Sequence, residues 1–294
     1  MHFARLFLED LAGYAYATLC ICTGFYAIEV LWPRKGLVVS VRSRVKALGF
    51  WFVYIPAVML TTQLTWPLWA PLGVQPLLPR IVPPGLPGPV SAVIGAIAAA
   101  FVGDFVYYWF HRLQHRFFWR FHAVHHSVRE MSGISAFHHI SEPLFRFVFY
   151  TAPLACFTQD PFALPVLGWL VALQGYYEHS QTRLNFGPLG RYLADNRFHR
   201  IHHSIRPEHY DKNFGVIVTL WDSLFGTAYM PDKDEWPDTG VADFPEPATI
   251  REYLLAPFTY RRSPNSDTPN QATPGRAAFW ALRAPIKLKT SQTP

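Results

Sequence analysis

Histidines are concentrated in one part of this 294-residue chain, and their spacing there is that of a helix face. Twelve of the thirteen lie between residues 111 and 209. Side chains three or four positions apart share one face of a helix. Three clusters, here called the histidine boxes, have this spacing: HRLQH with His111 and His115, HAVHH with His122, His125 and His126, and HRIHH with His199, His202 and His203.

Eight imidazoles on three helix faces favour metal binding over an ordinary structural role. Buried without a ligand, they would lose their hydration without compensation. Neutral imidazole is the commonest protein ligand of metals. A structural zinc ion needs only four ligands and often includes cysteine, whereas the boxes supply enough ligands for two ions. Imidazole suits iron, copper, nickel and zinc, so the ligand type leaves the metal open.

Acidic residues near the boxes are candidates to orient the ligating histidines by accepting their second N–H group. Ligating histidines usually donate their second N–H to a carboxylate or a carbonyl. Asp104 lies two helical turns before His111. Asp195 lies four residues before His199, and Glu178 directly precedes a further histidine. These three carboxylates are therefore expected to support the ligand shell, and a helix-capping role stays equally open for Asp195.

Three stretches are apolar over the ~20 residues that a membrane helix needs: about 11–32, 47–69 and 89–110. A cleaved secretory signal is the rival interpretation of the first stretch. The segment before it, MHFARLFLED, is not net basic, and no small-residue cleavage site follows. The sequence therefore predicts three membrane helices, the last of which ends where the first histidine box begins.

Charge bias predicts the orientation of these helices. The loop after the first carries Arg34, Lys35, Arg42, Arg44 and Lys46, whereas the loop at 71–88 carries only Arg80. Because basic loops stay in the cytoplasm, the first loop and everything after about residue 110 are expected there. The membrane would be a bacterial inner membrane or one of the endoplasmic reticulum type.

Two further apolar stretches, 144–157 and 162–179, are separated by TQDP and are short for a full span. They predict a helical hairpin that dips into the membrane. The expected fold is therefore all-α: three membrane helices and a re-entrant hairpin, with a cytoplasmic helical cap that holds a dinuclear metal site.

Composition divides the chain into three expected regions and excludes some functions. Residues 1–88 would form the first membrane helices, 89–230 the catalytic domain, and 231–294 a polar region that is disordered around 263–275. Charged residues make up 16% of the chain, below the roughly 25% of soluble domains. No continuous basic face is present for nucleic acid. The three cysteines lie in apolar stretches, which argues against a disulfide framework or a cysteine metal site.

The chemistry expected of such a site is oxidation of a lipid. Hydrolytic two-metal sites usually include carboxylates, and none interrupts the boxes. A site beside the membrane has lipids with unactivated C–H bonds as its natural substrates, and breaking those requires a metal–oxygen oxidant. Two alternatives remain: a metal-binding or transport protein without redox catalysis, and a di-zinc lipid hydrolase. A transporter would place its ligands near mid-bilayer.

Longer motifs resemble the fatty acid hydroxylase/sterol desaturase superfamily over roughly residues 90–230. They are HRLQH, HAVHH, YEHSQTRLNFGPLG, and NRFHRIHHS followed by NFGVIVTLWDSLFGT. The segment FWRFHAVHHS is similar to the alkylglycerol monooxygenase branch. The resemblance implies a membrane enzyme with two iron ions that uses O2 and external electrons. It would hydroxylate or desaturate a fatty acyl, alkyl-glycerol, sphingoid or sterol-like lipid.

The resemblance also implies particular residues and partners. It makes the eight box histidines and His179 metal ligands. An R-x-H-P-x-E pattern of many relatives is matched only in part by FHHISE at 137–142, which implies His139 as a further ligand with Glu142 near it. His138 and His209 stay undecided. No haem, flavin or Rossmann signature is evident, so electrons are expected from a cytochrome b5-, ferredoxin- or reductase-type partner.

Overall fold

The computed structural model describes residues 2–34, 36, 40–77, 85–158 and 163–259. Over these residues the chain is helical, and isolated β-bridges replace strands. The all-α prediction is therefore confirmed. The segment expected to be disordered, 263–275, lies outside the described residues.

Within the described part of the chain, three helices are long and apolar enough to cross a membrane: α1 (His2–Leu31), α2 (Val41–Trp69) and α3 (Gly88–Phe117). They confirm the three predicted spans. The 30 residues of α3 are about 45 Å long, more than the ~30 Å hydrocarbon core of a bilayer. The helix is therefore longer than the lipid core is thick, which leaves room beyond that core for its last turns, with His111 and His115.

The expected hairpin is present as helices on either side of residues 159–162. Its first arm consists of α5 (Glu142–Arg146), a π-helical turn (Phe147–Thr151) and α6 (Ala152–Phe157), and its second arm is α7 (Ala163–His179). Pro153 cannot donate a backbone hydrogen bond, which favours the wider turn before it. The N–H of Leu77, beyond the end of α2, donates to the carbonyl of Cys156 (3.0 Å). The first arm thus reaches the far end of α2.

Small residues let α3 pack closely against the hairpin. Ala99 and Ala100 are buried there. A Cβ on Gly103 would lie 3.2 Å from the Tyr150 hydroxyl and 3.4 Å from Leu167. Such small-residue stripes are typical of helix packing in membranes. They fix the end of α3 relative to the end of α7, and both ends carry histidines.

Four short helices cover the histidine end of the bundle: α4 (Trp119–His126), α8 (Asn196–His202), α9 (Leu220–Leu224) and α10 (Ile250–Thr259). The sequence did not predict α10, which falls in the region expected to be polar. Tyr253 of α10 is fully buried, and its ring stacks on Phe50 of α2 with centroids 4.6 Å apart. This region therefore contributes to the core.

The loop between α1 and α2 lies at the same end of the bundle as the histidine boxes. Glu29, near the end of α1, accepts hydrogen bonds from the backbone N–H groups of Gly133 (2.8 Å) and Gln181 (2.9 Å). It also pairs with Arg44 at 2.7 Å. The basic loop and the histidines therefore lie at one end of the helix bundle.

Candidate metal centre

The structure brings nine histidines together in two groups, and the candidate ligand atoms of each group lie within 4.8 Å of one another. These nine are the eight box histidines and His179, and each is at most 4% exposed. The five-histidine group contains His111, His115, His122, His126 and His202; the four-histidine group contains His125, His179, His199 and His203.

Local helix geometry turns these side chains toward a common centre. The helix of the first box, α3, ends at Phe117, and the backbone of Phe118 leaves the helical region (φ −117°, ψ 21°). The chain bends there, so α4 folds its histidines back toward those of α3. Asp195 caps α8 by accepting from the backbone N–H groups of Arg197 and Phe198. This fixes the start of the helix that carries the third box.

The Nε2 atoms of the histidines face one another. Five pairs, in both groups, have Nε2–Nε2 distances of 3.0 to 3.2 Å. Four Nδ1 atoms point outward to backbone carbonyls: His111 to Phe214, His125 to Phe137, His179 to Gly175 and His202 to Lys212. A carbonyl only accepts, so these Nδ1 atoms carry the proton and their Nε2 atoms carry a lone pair.

This arrangement fits a bound cation. His125 and His179 both hold their proton on Nδ1, yet their Nε2 atoms are 3.2 Å apart. Two lone pairs at that distance repel each other, and a cation between them removes the repulsion. The pKa values of His122, His126 and His203 lie well below the usual range of histidine. Burial is the main cause, and the neighbouring imidazoles lower them further. Neutral histidine is the form that binds metal.

The loop 211–214 supplies two of the outward carbonyls. Asp211 and Asn213 adopt left-handed backbone conformations (φ 54° and 60°), which Asp and Asn tolerate better than most residues. The Asn213 side chain donates to the carbonyls of Phe198 and Tyr229 and accepts from the Tyr229 N–H. Its side chain therefore holds the strained loop in the shape that the histidines need.

Two buried carboxylates anchor the segment after this loop. Asp104 accepts from the backbone N–H groups of residues 216–218 (2.9 to 3.0 Å). Asp222 accepts from those of Phe214 (2.8 Å) and Gly215 (2.7 Å). Asp104 thus holds the segment that follows Phe214 and acts on His111 only through it. Sequence reasoning missed Asp222; its signal was a carboxylate within the apolar stretch TLWDSLF.

Asp104→Asn is expected to destabilise the protein by about 1–3 kcal/mol, because the new amide N–H₂ faces a buried N–H group and leaves it without an acceptor. Thermal unfolding of the purified protein measures the effect. Asp243→Asn, at an exposed aspartate, serves as the control. Equal melting temperatures for both variants and the parent would contradict the anchoring role.

The other predicted carboxylates hold helices in place. Glu142 accepts from the Tyr54 hydroxyl (2.7 Å) and from Arg146 Nε (2.9 Å). Asp195 caps α8, as described above. Among the described residues neither bonds to a ligand histidine, and the four Nδ1 atoms described above go to backbone carbonyls instead. Glu178 differs, with Oε1 3.6 Å from His199 Nε2.

The structure does not bring the remaining histidines into either group. His139 was expected as a ligand, but its ring nitrogens lie 2.9 Å from Ser141 Oγ and 3.3 Å from the Leu254 carbonyl. His138 stacks on His125 with ring centroids 3.9 Å apart. His209 is buried, with Nδ1 2.9 Å from Ser204 Oγ.

A cavity of about 730 Å³ begins at the metal centre. At that end His111, His125, His179 and His199 line it; further along, the lining comes from α2, α3, α7 and the first hairpin arm. The lining residues of α2 run from Trp51 to Trp69, about 27 Å of helix. The volume lies within the roughly 300–1,000 Å³ of small-molecule pockets. The cavity therefore connects the histidines to the membrane layer.

Comparisons with known proteins match the part of the chain that carries the histidine boxes. The fatty acid hydroxylase family matches residues 96–227. The chain is 32% identical over 125 residues to an ornithine lipid hydroxylase of Rhizobium tropici, covering 41% of this chain and 37% of that protein. It is 32% identical over 115 residues to an alkylglycerol monooxygenase of Xenopus tropicalis, covering 39% of this chain and 25% of that protein.

The human alkylglycerol monooxygenase is 33% identical over 106 residues, which cover 36% of this chain and 24% of that protein. The chain thus matches little more than a third of the length of these relatives at most. No solved structure matches it significantly. The residues that match the fatty acid hydroxylase family, 96–227, contain all nine histidines of the two groups.

Proposed function

We propose that this protein is a membrane-bound di-iron enzyme that uses O2 to hydroxylate a lipid. The observation that supports this most strongly is the position of the cavity. One end of it is lined by the histidines, and much of its wall comes from helices that are apolar enough to cross a membrane. A transporter would need its ligands near the middle of the bilayer. Here the ligands lie at the ends of α3 and α7 and on the short helices beyond them.

When bound, two iron ions reduced by an external donor would supply the O2 activation and the C–H oxidation. His111, His115, His122, His126 and His202 would hold one ion; His125, His179, His199 and His203 would hold the other. The outward carbonyls keep the histidine rings in the orientation that ligation requires. The apolar walls orient the lipid chain and exclude bulk water from the site.

The substrate proposed is a lipid with one long acyl or alkyl chain in the cavity. The matched relatives are named for ornithine lipid and alkylglycerol substrates, and both classes combine a polar head with long chains. These relatives are named as a hydroxylase and a monooxygenase, so we propose hydroxylation over desaturation. Electrons would come from a cytochrome b5-, ferredoxin- or reductase-type partner.

The experiment that tests this function is product analysis with purified, iron-loaded protein, a chemical reductant and air. Vesicles would contain an ornithine lipid or an alkylglycerol, in separate reactions. A lipid that gains one oxygen atom is expected. Release of the polar head without oxidation would instead support the hydrolase alternative.

The active site is proposed to face the cytoplasm, where reductant is available. Arg129 is exposed and lies at the histidine end, whereas Gln75 is exposed beyond the other end of α2. In a cysteine-free background, Arg129→Cys is expected to react with an impermeant thiol reagent only after cells are permeabilised, and Gln75→Cys is expected to react in intact cells. The reverse labelling pattern would overturn this orientation.

A further inference from the structure

Glu178 places a carboxylate against the four-histidine group, on the side that faces the cavity. Its Oε1 lies 3.6 Å from His199 Nε2, and its side chain is 4% exposed. It lines the cavity together with His179 and His199. The histidine boxes themselves contain no carboxylate, and Glu178 lies outside them.

Glu178 approaches the ring nitrogen that faces the metal position, whereas a carboxylate that only orients a ligand approaches the other nitrogen. In both groups the Nε2 atoms converge, and the Nδ1 atoms that have partners point outward. Asp211 shows the outer geometry: its Oδ1 lies 3.5 Å from Nδ1 of His115. Glu178 instead meets the inward Nε2 of His199. Its carboxylate is therefore on the metal side of the ring.

Glu178 also lacks the partners that other buried carboxylates have. Its Oε2 has no hydrogen-bond partner among the described residues, and no lysine or arginine of the described residues pairs with it. Glu142, by contrast, is bonded to Tyr54 and Arg146. A buried carboxylate without a cation or donors is costly. A cation in the four-histidine group is the partner that this position fits.

We propose that Glu178 is a carboxylate ligand of the metal ion held by the four-histidine group. Each ion then has five protein ligands: five imidazoles in one group, and four imidazoles with one carboxylate in the other. The inference rests on the proposed dinuclear centre and adds to it one anionic ligand, so that the two ligand shells differ in charge. The cation expected there is a divalent first-row ion, with iron as the physiological one.

The test is Mössbauer spectroscopy and metal analysis of the full-length protein, purified without O2 and loaded with ⁵⁷Fe(II). Two ferrous doublets are expected, and His199→Ala assigns the one that belongs to the four-histidine group. Glu178→Gln keeps the shape but removes the charge. It should change that doublet and lower the affinity for that ion by at least about 10-fold. Loss of even an outer partner of a ligand lowers metal affinity by roughly 10- to 100-fold.

Two further variants keep the test sharp. Glu178→His restores a ligating group and should restore two ions per chain, with a changed doublet. Asp211→Asn removes a carboxylate at a matched distance from a histidine, but at the outward nitrogen, and should leave the four-histidine doublet unchanged. Circular dichroism confirms that each variant is folded.

The outcomes separate this inference from the proposed function. Two ions in the parent, with one doublet altered in Glu178→Gln and not in Asp211→Asn, support the ligand role. Two ions in the parent and an unaltered spectrum and affinity in Glu178→Gln overturn it, while the dinuclear centre stands. Fewer than two ions in the fully loaded parent overturn both.

Discussion

Replacing His126 with alanine is expected to remove one metal ion from the protein and to lower turnover by at least about 100-fold, the upper end of what loss of an outer partner costs. His126 is fully buried, and its Nε2 lies 3.1 Å from that of His115. The methyl group of alanine supplies no ligand atom, so the ion loses one of its imidazole nitrogens. Metal analysis and single-turnover assays on the same preparation measure both effects.

The matched control is His139→Ala, since this histidine is also buried but lies outside both groups. It is expected to retain two ions per chain. His199→Ala should lose the ion of the other group. A His126→Ala protein that still binds two ions and turns over would contradict the ligand assignment. Loss of an ion in His139→Ala would restore this residue to the ligand set.

Filling the cavity at two depths is expected to have two different effects on substrate use. Gly175 and Gly168 line the cavity on α7, and a Cβ on either would meet no atom within 4 Å. Gly175 lies one turn from His179, so Gly175→Leu should displace every substrate from the metals. A displacement of about 1 Å costs roughly 100-fold, and kcat/KM should fall by that amount for long and short chains alike.

Gly168 lies about two turns further from the metals. Gly168→Leu should therefore discriminate by chain length: each methylene excluded from the cavity costs about 0.8 kcal/mol, roughly 4-fold in kcat/KM. Short-chain substrates should be used normally. Gly24→Leu on α1 is the control, because Gly24 also faces open space but does not line the cavity. Equal effects of Gly168→Leu on all chain lengths would contradict the proposed binding mode.

The histidine boxes were predictable because helical spacing encodes a shared face in the sequence itself. Spacing did not predict the different positions of His138 and His139. The residues are adjacent, and the turn of the backbone between two helices decides which ring stacks on His125. Spacing carries no information about such a turn.

The supports of the ligands were less predictable than the ligands. Carbonyls such as those of Phe137 and Phe214 orient histidines, and a backbone carbonyl has no sequence signature. Asp104 was correctly singled out as a buried carboxylate, but its partners are backbone N–H groups more than a hundred residues away. The helix α10 is likewise stabilised by the long-range contact of Tyr253 with Phe50, which no local pattern reveals.

Membrane helices were predicted in number but not in extent. Apolar composition marks the part of a helix that lies in lipid, whereas hydrogen bonding decides where the helix ends. The third span was expected at about 89–110, yet α3 continues to Phe117. That extension places the first histidine box on the same continuous helix as the apolar span.

The central claim is that this chain transfers an oxygen atom from O2 to a lipid at the nine-histidine centre, and isotope labelling tests it most directly. Iron-loaded protein in vesicles of ornithine lipid or alkylglycerol would receive reductant under ¹⁸O₂, with His126→Ala as the inactive control. Mass spectrometry should find one ¹⁸O atom in the oxidised lipid, and only with the parent protein. An oxidised lipid whose new oxygen comes from water, or no oxidised lipid from fully loaded and reduced protein, would contradict the account.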